Sequence, residues 1–239
     1  CGIEISKYLK PPHDLEYEKT FWPFCLFTKK RYVGNLYETD PTKFKMKPMG
    51  IVLKRRDNAQ IVKYIYGGVI NIILNEQNIE KAKQFLQVCL DELIKGQFPL
   101  EMLTVTKSLK ANYKTVNKNG GELPLPPHKM MVDRMRERDQ DFTYNAGDRV
   151  PFIYVALKEN KTFKLTQGHK IETPSFIIKN NLQPAYSIYI TNQIMTPVVQ
   201  LFSLIMDEKK ASSMFDEVLR IEKNKSKGNI EITKWFTTV

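Results

Sequence analysis

The chain has 239 residues, 42% of them hydrophobic and 26% charged, which suffices for one large domain or two small ones with real cores. Its 37 Lys+Arg against 26 Asp+Glu leave a formal net charge of +11, which favours polyanionic partners, nucleic acid before an anionic membrane. No uninterrupted apolar run approaches the ~20 residues of a spanning helix. Cys1, Cys25 and Cys89, with His13, His128 and His169, lie too far apart for a disulfide framework or a zinc module and suit a reducing compartment. The first residue is Cys and no signal-peptide pattern follows, so a piece of something longer is expected.

Residues 1–52 read as an extended, β-rich start. Leu15 to Phe21 alternates apolar with polar residues, the period of a half-buried strand, and Phe24-Cys25-Leu26-Phe27-Thr28 is apolar enough to be a buried one. Lys29-Lys30-Arg31-Tyr32 follows, with a turn expected at Gly34-Asn35. From Lys43 to Arg56 the charges are all basic: Lys43, Lys45, Lys47, Lys54, Arg55 and Arg56. The periodicity then becomes helical.

Ile79, Ala82, Phe85, Leu86, Cys89, Leu90 and Leu93 predict an amphipathic helix over roughly 76–95, stopped at Gly96. A second helix is expected from about Thr106, with Lys107, Lys110, Lys114 and Lys118 on one face, either solvated or facing an anion. Asn119-Gly120-Gly121 and Pro124 to Pro127 mark a loop. A third helix is predicted over about 128–138, with Met131, Val132 and Met135 inward and Arg134, Arg136 and Arg138 outward. Val150 to Leu157 reads as a short strand, Tyr186 to Met206 as a helix kinked or split at Pro197, and Ala211 to Glu222 as a last helix. The whole is α+β: a β-rich start followed by a mainly helical part with a small β element.

Catalytic constellations are missing from this pattern. There is no Gly-x-Ser-x-Gly elbow, no phosphate-cradling Gly-Lys loop and no His-Glu-x-x-His pair. The histidines read as surface or loop residues, and Cys25 and Cys89 as buried structural thiols. The basic segments carry more. Phosphodiester backbones require cations near each phosphate and donors that fix register, and Lys29-Lys30-Arg31-Tyr32 offers three cations plus an aromatic face with a hydroxyl.

In context that tetrapeptide resembles a known family. Leu15-Glu16-Tyr17-Glu18-Lys19 followed by Lys-Lys-Arg-Tyr-Val-Gly is similar to family B DNA polymerases just past their second catalytic carboxylate motif, above all the delta-like branch that includes enzymes of large DNA viruses. Further blocks resemble the family in order: Lys54-Arg55-Arg56-Asp57-Asn58, Leu103 to Leu109, Val132 to Asp139, Gly147-Asp148-Arg149-Val150-Pro151-Phe152, and Tyr189 to Ile194 with Pro197-Val198. The resemblance implies a palm remnant over 1–55, a thumb over 56–225 and a C-terminal tail over 226–239. The family's metal-binding aspartates belong to motifs absent here, Asp-Thr-Asp and Asp-x-x-Ser-Leu-Tyr, so the chain alone is expected to be inactive, and Mg²⁺ to be held mainly by upstream domains.

By the same resemblance, Lys30 and Tyr32 grip the primer strand, flanked by Lys29 and by Arg31, which meets a phosphate or forms an internal salt bridge. Lys54, Arg55 and Arg56 sit where thumb leaves palm, while Lys107, Lys110, Lys114 and Arg149 lie near the duplex backbone. Glu18 either holds an auxiliary metal ion or pairs with Lys30 or Arg31 across the hairpin, and Asp148 orients Arg149 or caps a turn. At the tail, Asn229, Ile232, Trp235 and Phe236 resemble a sliding-clamp-binding peptide, with Asn229 in place of the usual glutamine. Primer-template DNA is the expected partner, with no membrane, in a nucleus or a viral replication factory. The alternatives are a separate subunit of a split polymerase and a stand-alone duplex-binding protein.

Overall fold

The computed structural model describes residues 2–13, 15–116, 120–121, 123–139, 143–156 and 166–226. After a short helix α1 (Gly2–Ser6), strands β1 (Thr20–Thr28), β2 (Arg31–Tyr37) and β3 (Lys45–Met49) form an antiparallel sheet in the order β1-β2-β3. Residues 15–19 lie outside it, and β1 instead runs through Pro23, which an edge strand tolerates. A bulge there shifts the register from Phe21↔Leu36 to Phe24↔Gly34. The expected turn at Gly34-Asn35 does not form. Gly34 lies inside β2 because the Phe21 and Phe24 rings occupy its face: a Cβ there would sit 3.0 Å from Phe24 and 2.8 Å from the Pro23 carbonyl oxygen. The hairpin turns at Lys29-Lys30.

The helical part begins with α2 (Gln60–Asn71), prolonged by a π-helical turn (Ile72–Glu76), and α3 (Ile79–Ile94). Asn78 caps α3 by accepting from the Lys81 N–H at 2.9 Å. At the other end Gly96 (φ +71°) and Gln97 donate to Leu93 and Glu92 carbonyls at 3.0 Å each, a two-bond cap that a residue in the left-handed region makes possible. Ile61, Val62, Ile65, Tyr66, Val69 and Ile70 of α2 are buried, as are Leu86, Cys89, Leu90 and Leu93 of α3. Each such aliphatic side chain contributes roughly 1.5–3 kcal/mol by burial. Gly68 lets the helices close, since a Cβ there would lie 2.4 Å from the Phe85 ring.

After α4 (Leu100–Leu103) comes a strand, β4 (Val105–Ser108), where a helix was expected. β4 buries Val105 and pairs with β5 from Val105↔Phe152 to Ser108↔Arg149, whereas the lysine spacing that suggested a helix has no apolar stripe beneath it. Lys110 and Lys114 therefore lie in the following loop, and Lys118 lies outside the described residues. The segment α5 (Pro127–Arg138) precedes β5 (Arg149–Tyr154) and β6 (Ile171–Glu172), which complete a second antiparallel sheet, β4-β5-β6.

Two arginines expected to face solvent from α5 are tied to a buried carboxylate, Arg134 half-buried and Arg138 still exposed. Arg134 donates to the Gly168 and Ile171 carbonyls at 2.7 and 2.8 Å and, with Arg138, to the buried Glu172. Arg138 also stacks 4.1 Å from the Phe176 ring centroid. A carboxylate buried in this way is stable only when paired and hydrogen-bonded.

The remaining helices are α6 (Pro174–Asn180), α7 (Tyr186–Tyr189), a π turn (Ile190–Met195), α8 (Thr196–Phe202), α9 (Glu208–Ser213) and α10 (Asp216–Ser226). Pro197 falls in the first turn of α8, immediately after the π turn, where its missing N–H is least needed. The expected single last helix is two, separated by Met214-Phe215. One hydrophobic cluster joins both sheets to these helices, and the buried Tyr189 phenol pins it by donating to the Leu103 carbonyl at 2.7 Å and accepting from the Tyr154 N–H at 3.0 Å.

Candidate nucleic-acid interface

The Lys29-Lys30 tip is built with care. Lys30 adopts φ +63°, a conformation that L residues other than glycine visit at a cost of order 1 kcal/mol. Gly50, at φ +63° just past β3, packs directly beneath it: a Cβ on Gly50 would lie 2.3 Å from the Lys30 carbonyl oxygen. Tyr32 is fixed on the outer face of the sheet by Phe21 and Phe24, with ring centroids 5.6 and 5.4 Å away. Among the described residues Arg31 pairs with no carboxylate; its Nη2 donates to the Gln200 side-chain oxygen on α8 at 3.1 Å. That contact spans 169 positions of sequence and no local pattern announces it. Lys29 and Lys30 are exposed and make no ion pair or side-chain hydrogen bond among the described residues.

A second basic group gathers where the first sheet leads into α2. Arg55 clasps Asp57 through two bonds, Nε to Oδ1 at 3.0 Å and Nη2 to Oδ2 at 2.8 Å. That hydrogen-bonded guanidinium holds the Asp57 carboxyl below its ordinary value, with Lys107 adding to the effect. Arg149 opens β5, opposite Ser108 in β4, and its guanidinium bonds to Thr106, Ser108 and the Arg56 carbonyl. Asp148 caps the preceding turn by accepting from the Asn145 N–H at 2.8 Å. Among the described residues, the side chains of Lys54, Arg56 and Lys107 form no ion pair or hydrogen bond.

The loop beyond β4 is moored to the same region. The Tyr113 hydroxyl accepts from the Lys110 N–H at 2.9 Å and lies 3.1 Å from His128 Nε2. Burial, followed by the nearby Lys107 ammonium, lowers the His128 pKa and so favours the neutral imidazole, which shares a hydrogen bond with the phenol. Lys110 and Lys114 are exposed in this loop.

A short stretch of chain links the two groups. Gly50 touches the Lys30 carbonyl and Arg56 follows six residues later, so the backbones at Lys30 and Arg56 are separated by at most ~20–25 Å, about one duplex diameter. The 3₁₀ turn at Val52–Lys54 shortens that path further.

Glu18 pairs with its neighbour Lys19, not with Lys30 or Arg31 across the hairpin. Its side chain is 78% exposed, and no group of three His, Cys, Asp or Glu among the described residues could hold a metal ion. An auxiliary Mg²⁺ at Glu18 would need further oxygen ligands beside this one carboxylate. Asn229, Ile232, Trp235 and Phe236 lie outside the described residues.

A family model described as DNA polymerase family B matches residues 3–205. A DNA polymerase of Pyramimonas orientalis virus is 50% identical over 209 residues, covering 87% of this chain and 17% of that protein. One of Acanthamoeba polyphaga mimivirus is 40% identical over 234 residues, 97% of this chain and 13% of the other. The DNA polymerase delta catalytic subunit of Candida albicans is 30% identical over 211 residues, 88% and 19% of the respective chains. The family B DNA polymerase of Pyrobaculum calidifontis shares the fold with a TM-score of 0.59 at 16% identity, over 85% of this chain and 24% of its own. The chain thus spans between an eighth and a fifth of the length of these curated relatives.

Proposed function

The chain belongs to DNA polymerase family B, and from that premise we propose that it is the portion of a DNA-directed DNA polymerase that grips the primer-template duplex. Residues 1–55 would be the end of the palm and 56–225 the thumb. The observation that supports this most is the pair of adjoining basic groups, Lys29 and Lys30 on one hairpin tip and Lys54, Arg56 and Lys107 beyond it, exposed or half-exposed and committed to no internal carboxylate among the described residues.

A replicative grip must hold every sequence alike. Its affinity then comes from phosphates, which are common to all base pairs, and from minor-groove acceptors, which scarcely distinguish them. Lys29 and Lys30 at a rigid tip supply point charges, and Tyr32, held by two phenylalanine rings, supplies a flat edge beside the sugar. Lys107, Lys110 and Lys114 would follow the backbone onto the thumb. No step of nucleotide transfer is assigned to these residues. The Mg²⁺ such an enzyme uses would be held by carboxylates elsewhere in the full enzyme, where the genome is copied, in a nucleus or a viral replication factory. The tail with Ile232, Trp235 and Phe236 would offer a plug to a sliding clamp.

The direct test is fluorescence anisotropy of the 239-residue chain on primer-template DNA, comparing it with Lys29→Ala/Lys30→Ala. Loss of two phosphate contacts should weaken binding by roughly tenfold or more at low salt, uniformly across DNA sequences. Unchanged affinity would remove the hairpin tip from the interface.

A further inference from the structure

An exposed arginine in a basic surface ordinarily offers its guanidinium to the anion. Arg149 does not. Its Nε donates to Thr106 Oγ1 at 3.1 Å and its Nη1 to Ser108 Oγ at 3.3 Å. Its Nη2 reaches the Thr106 carbonyl at 2.7 Å, Thr106 Oγ1 at 2.9 Å and the Arg56 carbonyl at 3.2 Å. A guanidinium has five N–H bonds in a planar fork. With both Nη2 hydrogens and the Nε hydrogen engaged, one N–H on Nη1 is left for a ligand.

The acceptors belong to separate pieces of chain. Thr106 and Ser108 are on β4, Arg149 opens β5, and Arg56 lies in the connection to α2. The Thr106 hydroxyl also donates to the Arg56 carbonyl at 3.3 Å, so that one oxygen receives from two sides. Just beyond it, Ala59 N–H is held by the Gln193 side chain at 3.3 Å. The Arg56 backbone is thereby stapled to the second sheet while its side chain makes no internal ion pair or hydrogen bond among the described residues.

We propose that Arg149 is a positioning residue: it fixes the Arg56 backbone so that the Arg56 guanidinium, and not its own, meets the DNA phosphate. This rests on the duplex-gripping reading of the interface. Charge is not what the role requires. Lysine keeps the charge but gathers its three donors on one nitrogen, and cannot span Thr106, Ser108 and Arg56 together.

The test combines Arg149→Lys, Arg56→Ala and the double variant in the 239-residue chain, with duplex affinity across a salt series and amide hydrogen exchange over residues 54–58 without DNA. Arg149→Lys should bind about tenfold more weakly than the parent, change affinity less than about twofold when added to Arg56→Ala, and speed exchange in 54–58 while leaving α3 protected. A direct phosphate contact gives the opposite pattern: Arg149→Lys close to the parent in affinity, effects additive with Arg56→Ala, and exchange unchanged. That pattern overturns the proposal. If the parent chain binds no duplex, the reading of the interface fails, and the exchange arm still decides whether Arg149 holds the Arg56 segment.

Discussion

His128 shows how one side chain can tie charge to conformation. It stands 7% exposed in the first turn of α5, where burial and then the Lys107 ammonium oppose protonation, outweighing a Ser108 backbone interaction that favours it. Facing it are the Tyr113 phenol, the Ser108 backbone and Lys107; its neighbour Lys129 is paired with Asp133. Because the folded pKa lies below the ordinary 6.5, the unfolded chain takes up this proton first as pH falls. Stability is therefore whole above about pH 6.5 and declines below it, with a slope no steeper than about 1.4 kcal/mol per pH unit for a single proton. Denaturant melts between pH 7.5 and 5 should show that decline in the parent and a flatter profile in His128→Gln; parallel profiles would contradict it. Cys89, buried on α3 with its thiol pushed up to about 11, is inert by comparison, as its place on an apolar face suggests.

Among the elements, the β1–β2 hairpin depends on a residue outside it. Gly50 combines a positive φ with contact to the Lys30 carbonyl, so Gly50→Ala meets both backbone strain and a clash with main chain that no rotamer relieves. The expected result is about 1–3 kcal/mol of lost stability in denaturant melts together with weaker duplex binding, since the tip must move. Full retention of both would show that the tip is not braced by Gly50. Helices with a clean apolar stripe, such as α3 and its Gly96 stop, are legible in the sequence because burial and capping are local. The helix expected from Thr106 was not: regular lysine spacing imitates a helical face, whereas pairing with the distant β5 makes Val105–Ser108 a strand. The turn expected at Gly34 failed for the related reason that this glycine serves ring packing, not chain reversal.

At the scale of the molecule, the ordered sequence blocks carried the family assignment and the α+β class. What stayed hidden were contacts between distant segments, since Arg31–Gln200 and Arg149–Arg56 depend on tertiary closure and leave no periodic trace. The same closure ties Arg134 and Arg138 to Glu172, so a basic residue on a helix could not be taken as an interface residue from sequence alone. The proposed grip rests on the basic charge left over, at Lys29, Lys30, Lys54, Arg56 and Lys107, none of which is committed to a carboxylate among the described residues. Counterion release makes that claim measurable: the duplex affinity of the 239-residue chain, followed from low to moderate salt, should give a log K against log salt slope of roughly −4 to −6, for ~4–7 neutralised phosphates. A slope near zero with binding intact would mean that phosphates are not what these lysines and arginines hold.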